Sequence, residues 1–270
     1  MNRRPIGVFD SGIGGLTVVR ELTRQLPHES LIYFGDTARV PYGNKSPETV
    51  RRFSREILEF LLSRDVKLVV VACNTATAHA LEELRRIAPV RVEGVIEPGA
   101  RAAVAASRSG RIGVIGTAGT VASGAYVRAI EAANGRVQVA SQACPLFVPL
   151  VEEGWLDHAA TRLIAEEYLA PLRAHDIDTL VLGCTHYPLL KPLLSSLLGP
   201  SIALIDSAEQ TAAAVSRELA KSTLHAPATA TGHVHFVVSD AAKQFVKVGK
   251  MFMGERLKDV ETVTLGHAIA

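Results

Sequence analysis

Six short apolar runs constrain this chain more than any other feature: Ile6–Phe9, Leu31–Phe34, Leu68–Ala72, Ile112–Ile115, Leu180–Leu182 and Ile202–Ile205. None alternates apolar with polar residues, as a strand with one wet face would. Continuous runs of this length belong to strands covered on both faces. Between them lie stretches of helical periodicity at Leu16–Leu26, Val50–Leu62, Ala80–Ile87 and Thr161–Leu172. Ser46-Pro47 marks a helix start, with a capping hydroxyl ahead of a proline at the first helical position. Strands alternating with helices imply parallel sheets joined by right-handed crossovers, an α/β fold. Beyond Ile205 the pattern predicts a helix over Ser207–Lys221 and a Ser/Thr/Ala/Pro stretch over Ser222–Gly232. A strand near His233–Val238, a helix from Asp240 and a last strand near Val260–Leu265 follow.

The chain also repeats itself. Asp65-Val66-Lys67-Leu68-Val69-Val70-Val71-Ala72-Cys73-Asn74-Thr75 can be laid on Asp176-Ile177-Asp178-Thr179-Leu180-Val181-Leu182-Gly183-Cys184-Thr185-His186, an offset of 111 residues. Ile6-Gly7-Val8-Phe9-Asp10-Ser11 matches Ile112-Gly113-Val114-Ile115-Gly116-Thr117 at an offset of 106. Two related α/β halves are expected, jointed at Glu97-Pro98-Gly99, where proline and glycine interrupt regular structure. At 270 residues the chain is long enough for either half to bury a core.

Composition removes several classes of function. A formal charge of +2, without a basic stripe interleaved with aromatics, gives no footprint for nucleic acid. The apolar stretch after Met1-Asn2-Arg3-Arg4 is cut by Asp10, too soon for a signal-peptide core. No window approaches the roughly 18 consecutive apolar residues of a membrane span. The three cysteines, Cys73, Cys144 and Cys184, show no CxxC spacing and suit a reducing compartment. A cytoplasmic protein without a membrane partner is expected.

Asp10, Asp36, Cys73, Thr117 and Cys184 each fall just past the carboxyl end of a predicted strand. In open α/β sheets ligands bind at that edge. Cys73 is followed by Asn74-Thr75 and Cys184 by Thr185-His186, each leading into a predicted helix. The positive end of a helix dipole favours thiolate, and the exposed N–H groups there can hold a carboxylate. If the halves face one another, the thiols reach a bound substrate from opposite sides. Such geometry suits a reaction that takes a proton from one face of a carbon and returns one to the other.

Blander readings stand beside this one. A lone cysteine after a buried strand is usually inert packing, and Cys144, ahead of Pro145, is read that way. A zinc site of Cys73, Cys184, His186 and an Asp lacks compact ligand spacing, so no metal is expected. The loop Asp10-Ser11-Gly12-Ile13-Gly14-Gly15 fits neither GxGxxG nor a P-loop, so no nucleotide cofactor is expected. His233 and His235 share one face of a half-exposed strand, and Trp155 suits either core or cleft wall.

Five ordered motifs carry a resemblance across nearly the whole chain. They are Gly7-Val8-Phe9-Asp10-Ser11-Gly12-Ile13-Gly14-Gly15, Gly35-Asp36-Thr37, Pro41-Tyr42-Gly43, Ala72-Cys73-Asn74-Thr75-Ala76 and Leu182-Gly183-Cys184-Thr185-His186-Tyr187-Pro188. With them the chain resembles the glutamate racemases of the aspartate/glutamate racemase superfamily. The resemblance implies two pseudo-symmetric three-layer α/β domains, residues 1–97 with 208–270 and residues 98–207, around an interdomain active-site cleft. It implies a homodimer that interconverts L- and D-glutamate for peptidoglycan without pyridoxal or any other cofactor. By the same resemblance Cys73 takes the α-proton from D-glutamate with help from Asp10. Cys184 takes it from L-glutamate with help from His186, and Glu152 lies near this second thiol. Substrate contacts map onto Asp10, Ser11, Tyr42, Gly43, Asn74, Thr75, Thr117, Thr185 and His186, with Asp36 a further candidate. The competing readings are a sibling activity on aspartate, a hydantoin or a malonate, a clamshell amino-acid binder, and a zinc hydrolase.

Overall fold

The computed structural model describes residues 2–265. Its first strands are Ile6–Asp10 (β1), Leu31–Gly35 (β2), Leu68–Val71 (β3) and Arg91–Gly94 (β4). A second group follows at Arg111–Gly116 (β5), Gln138–Ala143 (β6), Thr179–Gly183 (β7) and Ala203–Asp206 (β8), and the tail adds Val234–Val238 (β9) and Val260–Thr262 (β10). One sheet has the order β10-β9-β2-β1-β3-β4 and the other β6-β5-β7-β8. All pairings are parallel. The order β2-β1-β3-β4 thus recurs as β6-β5-β7-β8, and the internal matches fall on equivalent strands, β1 with β5 and β3 with β7. The aspartates of the longer match prove to be turn residues. Asp65 and Asp176 take left-handed conformations, φ 53° and 51°, which Asp tolerates better than most residues.

The helices are Leu16–Gln25 (α1), Pro47–Ser63 (α2), Asn74–Ile87 (α3), Ile96–Ala106 (α4), Ala118–Ala122 (α5) and Ala125–Ala133 (α6). Phe147–Glu152 (α7), Ala159–Ala174 (α8), Lys191–Leu198 (α9), Ser207–Lys221 (α10) and Ala242–Met253 (α11) complete the set. The Ser46 hydroxyl caps α2 by accepting from Thr49 N, with Pro47 at the first position, as the sequence pattern predicts. Both faces of the first sheet are covered. Ile6 and Val8 of β1 and Leu68 and Val70 of β3 enter one apolar cluster, while Phe9, Val69 and Val71 enter another on the opposite face. Period-two alternation is present, but both sides of it are buried, so the runs read as continuous.

Four features depart from expectation. Glu97-Pro98-Gly99 does not break regular structure; it lies in the first turn of α4, where backbone N–H groups have no partner within the helix and a proline costs little. Strands β4 and β6 escaped the pattern because each is a sheet edge with polar residues, and no residue of β6 is fully buried. The segment after Cys184 is not an α-helix: a 3-10 turn at Tyr187–Leu190 intervenes before α9. By contrast α3 starts at Asn74, not Ala80, which makes Cys73 its N-cap.

Candidate active site

Cys73 closes β3 and opens α3. Its Sγ accepts a long bond from Ala76 N at 3.4 Å, as an N-cap side chain does, and donates to Ser11 Oγ at 3.6 Å. Ser11 follows Asp10, the last residue of β1, which lies beside β3. Asp10 is buried, and its Oδ2 accepts from Gly12 N at 3.0 Å, while Oδ1 has no partner in the protein. Burial raises the Asp10 carboxyl from its ordinary range against the lowering influence of the nearby His186 charge and of three backbone N–H groups. Those N–H groups belong to the loop 11–15, of which Gly12 N makes the hydrogen bond. Burial, then the charge on Asp10, push the Cys73 thiol up to about 12. The helix dipole expected to favour thiolate is outweighed here by desolvation and a like charge.

Cys184 sits past the end of β7 in different company. Its Sγ lies 3.8 Å from His186 Nδ1, and His186 Nε2 lies 2.9 Å from Glu152 Oε1 at the end of α7. Burial works against a charged imidazole, but hydrogen bonds to Cys184 and Glu152 and their negative charges override it, raising His186 to about 10. A thiol, an imidazole and a carboxylate therefore form a line from the strand end toward the exterior, where Glu152 is half-exposed.

The two neighbourhoods meet. Gly14, ahead of α1, packs so closely on the second group that a Cβ there would stand 2.2 Å from Thr185 Oγ1 and 2.4 Å from His186 Nδ1. Thr17 Oγ1 donates to the Thr185 carbonyl at 3.1 Å. Across the other wall Thr75 Oγ1 is 2.9 Å from Thr117 Oγ1 and 3.2 Å from Thr120 Oγ1, and Gly43 packs against Thr117. A cavity of about 310 Å³ opens here, bounded by Ser11, Gly43, Thr117, Glu152 and His186 among others. Neither cysteine is among the residues bounding it, and both are buried, 5% and 6% exposed.

Two of the candidate residues are engaged elsewhere. Asp36 is fully buried and accepts from Tyr42 OH, from Arg39 Nε at 3.0 and 2.8 Å, and from Ser239 Oγ at 2.8 Å. Its carboxylate anchors the loop that carries Tyr42 and Gly43, and the Tyr42 hydroxyl is committed to that anchor. Cys144 is buried in the core, with Sγ donating to the Gln142 carbonyl at 3.6 Å. Trp155 is 45% exposed and stacks on His158. His235 pairs with Glu261 on a half-exposed strand. Among the described residues no group of three His, Cys, Asp or Glu side chains is placed to hold a metal ion.

Sequence reasoning missed Thr120 and Tyr126. Thr120 had a local signal, since Thr117-x-x-Thr120 sits at a helix start and Thr120 N bonds back to Thr117 Oγ1 at 3.2 Å. Tyr126 had none. Its hydroxyl reaches Asn74 Oδ1, 52 positions away in the chain, at 2.8 Å.

Residues 6–215 match the family model described as Asp/Glu/Hydantoin racemase. A glutamate racemase of Geobacter metallireducens is 55% identical over 262 residues, covering 97% of both chains. The crystal structure of a glutamate racemase isoform from Bacillus anthracis superposes with a TM-score of 0.94 at 41% identity, over 97% of this chain and 98% of that one. A glutamate racemase from Francisella tularensis, in complex with D-glutamate, gives 0.91 at 38% identity over 98% of both chains.

Proposed function

The chain belongs to the Asp/Glu/Hydantoin racemase family, and on that premise we propose that it racemises glutamate with Cys73 and Cys184 as an acid/base pair on opposite faces of the α-carbon. In the L-to-D direction Cys184 takes the α-proton: the C–H bond breaks, an S–H bond forms, and the electron pair spreads into the α-carboxylate. Cys73 then gives its proton to the other face. A thiol held up at about 12 keeps its proton until a strong base forms beside it, as this donor role requires. His186, backed by Glu152, receives and returns the proton of Cys184; Asp10 serves Cys73. Charge growing on the substrate carboxylate needs fixed donors, and the Thr75, Thr117 and Thr185 hydroxyls and the N–H groups of Asn74 and Thr75 would supply them. The unpartnered Asp10 Oδ1 suits the substrate ammonium.

One observation carries the reading: two thiols stand at equivalent strand ends of a duplicated strand order, next to unlike proton-handling groups. Sheet membership supports a division into residues 1–97 with 208–270 and residues 98–207. A cytoplasmic homodimer supplying D-glutamate to peptidoglycan completes the proposal. Its location is supported by three free cysteines and, among the described residues, by no helix long and apolar enough to cross a membrane. The test is incubation of purified protein with L-glutamate in D2O, with EDTA and reductant and no added pyridoxal phosphate. Optical rotation should decay while deuterium enters the α-position. Activity lost on chelation and restored by zinc would sink the two-thiol scheme, and comparable kcat/KM for aspartate would move the substrate to a sibling.

A further inference from the structure

We propose that Tyr126 is a positioning residue for this reaction, fixing the side-chain amide of Asn74 so that its N–H2 end faces the substrate carboxylate. Asn74 directly follows Cys73, and both Asn74 and Tyr126 are buried, 3% and 2% exposed. The phenol donates to Asn74 Oδ1 at 2.8 Å, while Nδ2 has no hydrogen-bond partner in the protein. A primary amide has two nearly isosteric orientations with opposite electrostatic sense. With Oδ1 held by a donor, the free end is the donor end, matched to an anion. Flipped, it would set an acceptor oxygen against the substrate carboxylate.

The phenol is itself held in the donating sense. Burial pushes its pKa upward, so the proton stays on. The ring reaches this position because Gly183, just ahead of Cys184, has no side chain; a Cβ there would stand 2.9 Å from Tyr126 Cε2. Tyr126 lies on α6 and Asn74 on α3, so the bond spans the two groups of elements that carry the two thiols. A residue from the Cys184 side thereby sets a contact on the Cys73 side. The cost of leaving a buried donor unmatched in the free protein is recovered when substrate accepts from it.

The inference rests on the racemase reading, and its test separates the two. Tyr126→Phe keeps the ring and removes the proton that orients the amide. It should lower kcat/KM for glutamate about tenfold, equally in both directions, with thermal stability close to wild type. The deciding measurement is a double-mutant cycle with Asn74→Ala. If Tyr126 acts through Asn74, Tyr126→Phe has no further effect once the amide is gone. A hydroxyl that merely supports the fold would cost the same tenfold in either background, and that additive result overturns the proposal. So does unchanged kcat/KM in Tyr126→Phe. Should Asn74→Ala leave too little turnover, the cycle is repeated in Cys184→Ser by calorimetric titration with D-glutamate. Affinity should then fall several-fold on Tyr126→Phe only where Asn74 is present; equal falls in both backgrounds refute the role. Absence of racemisation in the unmodified protein would sink the underlying reading instead.

Discussion

The surroundings of Cys73 and Cys184 are built on the same strand order and differ in almost everything that governs a proton. Cys73 caps a 14-residue helix, yet is buried beside a buried carboxylate and holds its proton up to about 12. Cys184 has only a 3-10 turn after it, but an imidazole held at about 10 stands 3.8 Å away with a carboxylate behind it. Duplicating a β-α-β framework copies strand ends, which place the thiols. It does not copy the loops, which decide how each thiol handles charge. A symmetric scaffold therefore presents unlike faces to one carbon, and the comparison can be attacked experimentally from either side.

The largest effects should come from the sulfurs themselves. Cys73→Ser and Cys184→Ser keep approximate shape but put the side-chain pKa far above working pH. Each should lose several orders of magnitude in racemisation while remaining folded by circular dichroism, and Cys144→Ser should keep most activity. Wild-type turnover in either active-site variant would end the two-base scheme. Next in size is His186→Asn, expected to lower kcat/KM by roughly 10²-fold as a proton relay is removed. Glu152 works only through His186 and is half-exposed, so Glu152→Gln should cost less, about tenfold. It should also lower the pKa of the alkaline limb of the kcat/KM profile, because the carboxylate is one of the causes holding His186 at about 10. An unshifted limb would remove Glu152 from the relay.

Much of this arrangement was legible in the residues, and the gaps have physical causes. The apolar runs marked six strands, of which five are buried along nearly their whole length and β8, a sheet edge, only in part. The Asp-to-Cys match placed both thiols at equivalent strand ends, although its aspartates turned out to shape turns. Strand β6 was invisible to hydrophobicity because an edge strand need not be apolar. The repeat could have found it: Leu31 moved by the 106-residue offset lands at 137, one residue short of where β6 begins. The Cys73 pKa was misjudged because a helix end is a local feature, whereas desolvation depends on everything packed around the sulfur. Likewise Asp36 shares the strand-end position of the others, and only tertiary contacts reveal that Arg39, Tyr42 and Ser239 already saturate it.

Stability against pH should separate the two sides by sign. His186 has a folded pKa of about 10, above its ordinary 6.5. Its contribution is therefore fully present below 6.5 and lost as pH rises toward 10. The denaturation midpoint should fall across that window, and His186→Asn should flatten the fall. Asp10 behaves oppositely, since its carboxyl is raised from 3.8 chiefly by burial and so costs stability once the pH exceeds that value. Asp10→Asn should raise Tm at neutral pH, by about 2–4 °C for each kcal/mol relieved. The same change removes the charge that helps hold up Cys73, so the thiol should alkylate faster at pH 9 than in wild type. A lower Tm in Asp10→Asn at neutral pH would show that the Gly12 bond and the His186 attraction outweigh the burial cost.

The smallest effect is the most specific to a division of labour in which Asp10 serves Cys73 and His186 serves Cys184. Comparing rates in the two directions cannot reveal it. L- and D-glutamate have equal free energies in solution, so kcat/KM must be equal both ways in every variant, however kcat and KM shift separately. What can differ is which proton transfer limits the rate. Weakening the Cys73 side makes transfer at that sulfur slower relative to the steps around it, and the isotope effect belonging to that transfer is then expressed more fully. Asp10→Asn should thus enlarge the primary deuterium effect on kcat/KM more for α-deuterated D-glutamate, whose proton goes to Cys73, than for the L-enantiomer. His186→Asn should enlarge it more for L-glutamate, whose proton goes to Cys184. The contrast is a factor of less than ~2 on a modest isotope effect, yet its sign is what matters, because a general loss of binding or folding would move both enantiomers alike. The same ordering in both variants would leave two thiols in place and abolish the assignment of a separate helper to each.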